Sequence, residues 1–253
     1  MDPYIKKIIT RIQGTSSNET ADYIAVEKRL SIFINGKKTM ILYCTPLMIK
    51  ELATGFLLTE EILTDRAYIE NLEIKYEGEE IKIDILTGKN IIPETLVNLQ
   101  RYGRVLFNKK MEFNKIKDNF SITLTALKNI FNEFQQKSEL FRLTGCFHSA
   151  ALSDGGKILA FSEDISRHNA VDKIIGSAIL NDMSFTGKCL LVSCRISSTI
   201  ISKCLKWEIP IIVSRAAPTD FAVDIAEKSG ITLLGFVRGD YLNVYTNPQR
   251  IIS

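Results

Sequence analysis

Histidine is almost missing from this chain. Only His148 and His168 occur in 253 residues, so any imidazole chemistry has to use one of them. The five cysteines, Cys44, Cys146, Cys189, Cys194 and Cys204, are odd in number and irregular in spacing. That argues against a disulfide framework and for free thiols in a reducing compartment. No C-x-x-C pair accompanies either histidine and the H-x-E…P-C-x-x-C signature is missing, so no metal site is expected. Neither G-x-x-x-x-G-K-[ST] nor G-x-G-x-x-G occurs, which removes the glycine-rich phosphate loops. No run approaches the roughly 20 apolar residues that a membrane helix needs. Met1 to Gln13 lacks the apolar centre of a secretory signal. A cytoplasmic protein with no membrane partner is the expectation. The net charge of +3 is too small to argue for nucleic acid.

What is present is an ordinary folding composition, 45% apolar and 24% charged, in a chain long enough for one large domain or two small ones. Leu30, Ile32 and Ile34 alternate, Asn35-Gly36 follows, and Met40 to Tyr43 return, which predicts a hairpin. Thr45-Pro46 reads as a helix start, as cap and first helical residue, with apolar spacing to about Leu63. Ile69 to Ile85 alternate as further strands. Arg101 to Lys117 holds six basic residues against Glu112, either a solvated linker or a basic loop facing an anionic partner. A helix is expected over Thr123 to Lys137. The boundary between an N-terminal α+β domain (1–120) and a C-terminal α/β domain (121–253) is placed near residue 120.

From Phe141 onward strands and helices alternate, which predicts an α/β layer with a largely parallel centre. Strands are expected near Phe141–Leu152, Ile158–Phe161, Cys189–Ser193, Ile209–Val213, Thr232–Phe236 and Leu242–Tyr245, and helices near Arg167–Leu180, Ser198–Trp207 and Pro218–Ser229. Four polar clusters follow apolar strands: Glu163 to Asn169, Ser193 to Ser198, Ser214 to Asp220, and Arg238 to Asp240. Ligands in open α/β sheets sit beyond the carboxyl ends of strands, and helix starts favour anions. Each cluster brings an arginine, Arg167, Arg195, Arg215 or Arg238, and guanidinium forks suit phosphate oxygens. Singly, such residues are helix caps and surface charges. Their recurrence at successive strand ends predicts a shared site for a polyanion such as a nucleotide diphosphate.

The second constellation is Cys146 and His148. On a strand, positions two apart share a face, so the imidazole could stabilise a thiolate that carries a persulfide or attacks a carbonyl. The alternative is a buried cysteine beside a structural histidine. Cys189 and Cys204 read as core. Cys44 also reads as structural, and Cys194, beside Arg195, is the second candidate thiol.

Several ordered stretches resemble the formate dehydrogenase accessory sulfurtransferase family, FdhD. They are Asn35-Gly36, Cys44-Thr45-Pro46, Glu51-Leu52-Ala53-Thr54-Gly55-Phe56-Leu57, Thr144-Gly145-Cys146-Phe147-His148-Ser149-Ala150, Glu163-Asp164-Ile165-Ser166-Arg167-His168-Asn169-Ala170-Val171-Asp172-Lys173, Ser193-Cys194-Arg195-Ile196-Ser197, Ala217-Pro218-Thr219 and Gly230 to Gly239. The resemblance implies a cytidine-deaminase-like three-layer C-terminal domain. It implies a sulfur carrier that takes sulfur from a cysteine desulfurase and passes it to the molybdenum bis(molybdopterin guanine dinucleotide) cofactor before that enters formate dehydrogenase. It further implies a homodimer, and binding of that cofactor, or of a GDP-like ligand, at Phe236, Val237, Arg238, Gly239, Asp240 and Tyr241, with Arg167, His168, Arg195, Ser197 and Arg215 around it. One family feature is missing. The sulfur-transferring C-x-x-C loop belongs near residues 101 to 110, which hold no cysteine. Cys146 and Cys194 stand where the family motifs have glycine, so sulfur is expected on Cys146 with His148 as its activator. Two alternatives stay open: a cofactor-binding chaperone that carries no sulfur, and an unrelated thiol hydrolase built on Cys146 and His148.

Overall fold

The computed structural model describes residues 1–88, 115–239 and 241–253. Residues 101–114 of the basic stretch, and Asp240, lie outside the described residues.

The chain opens with a ribbon that the sequence reading did not foresee, β1 (Tyr4–Gln13) and β2 (Ser16–Ala25), paired antiparallel. Gly14 turns it in the left-handed region. β3 (Lys28–Ile34) and β4 (Lys37–Cys44) form the expected hairpin, and both turn residues, Asn35 and Gly36, have positive φ. Asn35 also accepts from the Thr87 amide at 2.8 Å, tying the turn to the neighbouring strand. Helix α1 (Ile49–Thr59) starts later than the sequence suggested. Thr45 does not cap it: the Thr45 amide donates to Asp164 Oδ2 at 3.1 Å and its hydroxyl accepts from the Ile165 amide. β5 (Ile69–Glu77) and β6 (Glu80–Thr87) complete a four-stranded sheet ordered β4-β3-β6-β5. Alternation puts Leu30, Ile32, Ile34, Ile81, Ile83 and Ile85 on one face, where Leu52, Ala53, Phe56 and Leu57 of α1 bury them.

The second half is built on β8 (His148–Ser153), β9 (Ile158–Asp164), β10 (Cys189–Val192), β11 (Ile211–Ser214), β12 (Thr232–Arg238) and β13 (Tyr241–Thr246), in the order β13-β12-β11-β10-β8-β9. β10, β11 and β12 are parallel, and β8 is antiparallel to both β10 and β9. Alternate residues serve opposite faces. Leu190, Val192, Ile212 and Leu233 meet α4 (Arg167–Leu180), α5 (Ser198–Lys206) and α6 (Asp220–Ser229). Cys189, Leu191, Ile211, Val213 and Leu234 meet α2 (Leu124–Lys137) through Leu127, Ile130, Phe131 and Phe134. The result is helix on sheet on helix, with all faces of the central strands covered. The short pair β7 (Ile122–Thr123) and β14 (Ile251–Ile252) ties the C-terminal segment to the start of α2.

One expected strand is partly wrong. Phe141 to Thr144 belongs to a short helix, α3 (Glu139–Thr144), closed by Gly145 in the left-handed conformation. The strand begins only at His148.

The halves meet through α1 and α4, whose backbones touch at Gly55 and Gly176. Ile116 already sits in the core of the second half, its amide bonded to the Ser229 carbonyl. Lys203 on α5 reaches Glu60 at 2.7 Å and Asp172 at 2.8 Å, and Lys173 reaches Asp164 at 2.7 Å, all of them buried. Among the described residues no helix is long and apolar enough to cross a membrane.

Candidate functional site

β9, β10, β11 and β12 run the same way, so their carboxyl ends lie on one edge of the sheet. β8 and β13 run the opposite way, and therefore begin there. Along that edge come Arg167 after β9, His148 at the start of β8, Arg195 after β10, Arg215 after β11, and Arg238 at the end of β12. Adjacent strands are about 4.8 Å apart, so the last three arginines leave the backbone at successive strand spacings. Arg195, Arg215 and Arg238 are exposed and Arg167 is half-buried. Among the described residues none of the four guanidiniums makes an ion pair.

The turns bearing these arginines are stitched together. The Arg215 amide donates to Val192 O, Ile196 and Thr219 bond across to Ala217 O and Ile196 O, and the Phe236 amide donates to Ala216 O. Ser214 Oγ donates to Cys194 O at 2.6 Å and accepts from the Ala216 amide at 2.9 Å. Phe236 has a positive φ inside a bulge between Gly235 and Arg238, which kinks β12 just before its arginine. Gly235 is required there: a Cβ would lie 2.9 Å from Ala216 O. Val237 is buried, while Gly239 and Tyr241 are exposed. Ser197 stands at the N-cap of α5, but its hydroxyl pairs with Thr199 Oγ1 at 2.8 Å instead of capping the helix. His168 is half-buried in the first turn of α4.

The thiols divide sharply. Cys44, Cys189, Cys194 and Cys204 are buried, and Cys146 is exposed. Burial pushes the thiols of Cys44 and Cys189 up to about 12 and that of Cys194 to about 11, the latter despite the nearby charges of Arg167 and Arg195. Cys204 is pushed up in the same way. Arg167 therefore acts on both Cys194 and His148, which places its charge amid the edge residues.

Cys146 and His148 are not the strand pair that the sequence suggested. Cys146 precedes the strand, its amide bonded to Thr144 Oγ1 at 3.1 Å. No hydrogen bond joins its thiol to His148 among the described residues, so the thiol–imidazole contact that a hydrolase would use is missing. Burial first, then Arg167, lowers the His148 pKa, with Asp164 opposing. Cys146 instead lines an open cavity of about 650 Å³ together with Glu27, Ile41, Tyr43, Ser166 and Asn169. Sequence reasoning missed the contribution of Glu27 and Tyr43, because nothing local marks them. Among the described residues no three His, Cys, Asp or Glu side chains are grouped to hold a metal ion.

The chain matches known proteins over nearly all of its length. The FdhD/NarQ family model covers residues 25–252. The sulfur carrier protein FdhD of Bacillus subtilis is 33% identical over 96% of this chain and 95% of its own. That of Sulfolobus acidocaldarius is 36% identical over 98% of each. A crystal structure of a candidate formate dehydrogenase accessory protein from Desulfotalea psychrophila superposes with a TM-score of 0.82 at 26% identity, covering 99% of this chain and 100% of that one. The stitched arginine edge and its neighbouring thiol thus sit on a shared scaffold, and the chain belongs to the FdhD/NarQ family.

Proposed function

We propose that this chain is a cytoplasmic sulfur carrier and accessory protein for formate dehydrogenase, with a molybdenum bis(molybdopterin guanine dinucleotide) as its cargo. The observation that carries the reading is the row of four arginines along one sheet edge, without ion partners among the described residues, together with the one exposed cysteine, Cys146, two residues before the strand β8 that starts at that edge. Uncompensated guanidiniums at strand ends suit phosphate oxygens. Arg195, Arg215 and Arg238 hold a diphosphate, Arg167 and His168 meet a more distant part of the cargo, and the turn Phe236 to Tyr241 shapes the phosphate side. A cytidine-deaminase-like layering, a homodimer, and a cysteine desulfurase as donor belong to the same reading.

In the carrier step the Cys146 thiolate attacks the sulfane sulfur of the donor persulfide. A Cys146–sulfur bond forms, the donor S–S bond breaks, and the donor cysteine leaves as a thiolate. His148 makes no hydrogen bond to the thiol among the described residues, and burial favours its neutral form, so the imidazole is no direct activator of Cys146 in this arrangement.

Two measurements test the reading. Titration with GDP should show binding that Arg238→Ala weakens by roughly 1.5–3 kcal/mol, the worth of a charged hydrogen bond. Mass spectrometry after incubation with a cysteine desulfurase and cysteine should find 32 Da multiples, about one sulfur atom each, on Cys146 and none after Cys146→Ser. One observation favours a second reading, a chaperone that holds the cargo without carrying sulfur: no cysteine occurs between Cys44 and Cys146, where the family has its C-x-x-C loop. GDP binding with no sulfur on any thiol would select it.

A further inference from the structure

Cys146 hangs from the end of α3, one residue beyond the left-handed Gly145. A helix of six residues cannot hold itself in water, and Ser138 at its N-cap makes no side-chain bond to its first turn. The acceptor comes from across the fold. Glu163, buried on β9, takes the Leu140 amide at 3.1 Å on one carboxylate oxygen and the Phe141 amide at 3.0 Å on the other. Ser149 Oγ lies 3.5 Å from the same carboxylate and 2.7 Å from Ser138 Oγ. The residue before the helix and the strand after Cys146 are therefore clasped together. The Ser149 backbone is also held twice by Ser193: its amide donates to Ser193 Oγ at 2.9 Å, and its carbonyl accepts from the Ser193 amide at 3.0 Å. The clasp thus reaches the turn that bears Arg195.

We propose that Glu163 is a positioning residue for the thiol segment, fixing α3 so that Cys146 is presented at the cavity it lines with Tyr43, Ser166 and Asn169. Its consequence for sulfur transfer rests on the reading of Cys146 as the carrier thiol. Burial raises the Glu163 pKa, and only the donors from Phe141, Leu140 and Ser149 hold it back, with Glu139 on α3 adding to the rise. A carboxylate kept in such a place needs all of its donors.

The test uses the full chain, with Glu163→Ala and Glu163→Gln, which keeps one acceptor oxygen. Hydrogen exchange at Leu140, Phe141 and Gly145 to Phe147 should quicken by about 2- to 30-fold in Glu163→Ala, the range that a lost cap implies, and by less in Glu163→Gln. Desulfurase-dependent sulfur on Cys146 should fall in the same order. Iodoacetamide labelling of Cys146 should stay within about twofold, since the thiol's own chemistry is untouched, and the four buried cysteines should stay protected. Wild-type exchange in both variants would overturn the inference. So would exchange and cysteine labelling that rise throughout the chain, because Glu163 would then be a general stabiliser. A wild-type protein that accepts no sulfur would end the carrier reading, while the exchange rates would still decide what Glu163 does.

Discussion

Gly55 on α1 and Gly176 on α4 lie backbone to backbone. A Cβ on Gly55 would fall 1.9 Å from Asp172 O, and one on Gly176 would fall 1.9 Å from Glu51 O. Two helices approach this closely only where neither carries a side chain. Gly176→Ala should therefore cost about 3 kcal/mol or more, the upper range for overpacking, because backbone and not a mobile side chain has to move. A urea midpoint measured on wild type and variant checks this. An unchanged midpoint would show that the two helix backbones do not touch at Gly55 and Gly176.

Lys203 is the only cation within hydrogen-bonding distance of both Glu60 and Asp172 among the described residues, and all three are buried. Lys203→Met would remove the buried ammonium that reaches both carboxylates. Loss of one partner from a buried ion pair costs about 3–5 kcal/mol. Thermal or urea unfolding of Lys203→Met should show that loss, and a smaller one in Lys203→Met combined with Glu60→Gln and Asp172→Asn.

His148 should make the protein less stable in mild acid. Its folded pKa lies below the unfolded value, chiefly through burial. As pH falls, the unfolded chain takes up the proton first, so stability declines from the ordinary histidine range down through the folded pKa. His148→Gln should remove part of the decline seen by urea unfolding between about pH 7.5 and 5.5. Equal slopes in wild type and variant would show that the imidazole is not desolvated.

Much of this was legible in the chain. The Asn35-Gly36 hairpin follows from two residues that tolerate positive φ, and α4 runs over the predicted Arg167–Leu180. The arginine edge could be read because each cluster follows an apolar strand, and parallel strands deliver their ends to one side. The failures share a cause: a distant partner overrides a local signal. Phe141 and Leu143 alternate like a strand, yet Glu163 supplies the acceptors that keep them helical. Thr45-Pro46 has the chemistry of a helix start, but Asp164, far along the chain, has already claimed Thr45. The same applies to Lys173 and Lys203, charged residues on otherwise apolar helix faces, whose carboxylates come from other elements. The β1–β2 ribbon was hidden because Ile5, Ile8 and Ile12 fall three and four residues apart, not in strand alternation, and neither strand has a buried residue.

The Lys173–Asp164 pair has a consequence for how the molecule comes apart. Lys173 Nζ also reaches Thr45 O at 3.3 Å, and Asp164 accepts from the Thr45 amide, so the first half closes over a charge that belongs to the second. Detaching the first half would take the Thr45 amide and carbonyl from Asp164 and Lys173 and would part Lys203 from Glu60, so the polar contacts that join the halves are lost together. Calorimetry should accordingly record one cooperative transition, with no intermediate in which one half survives alone.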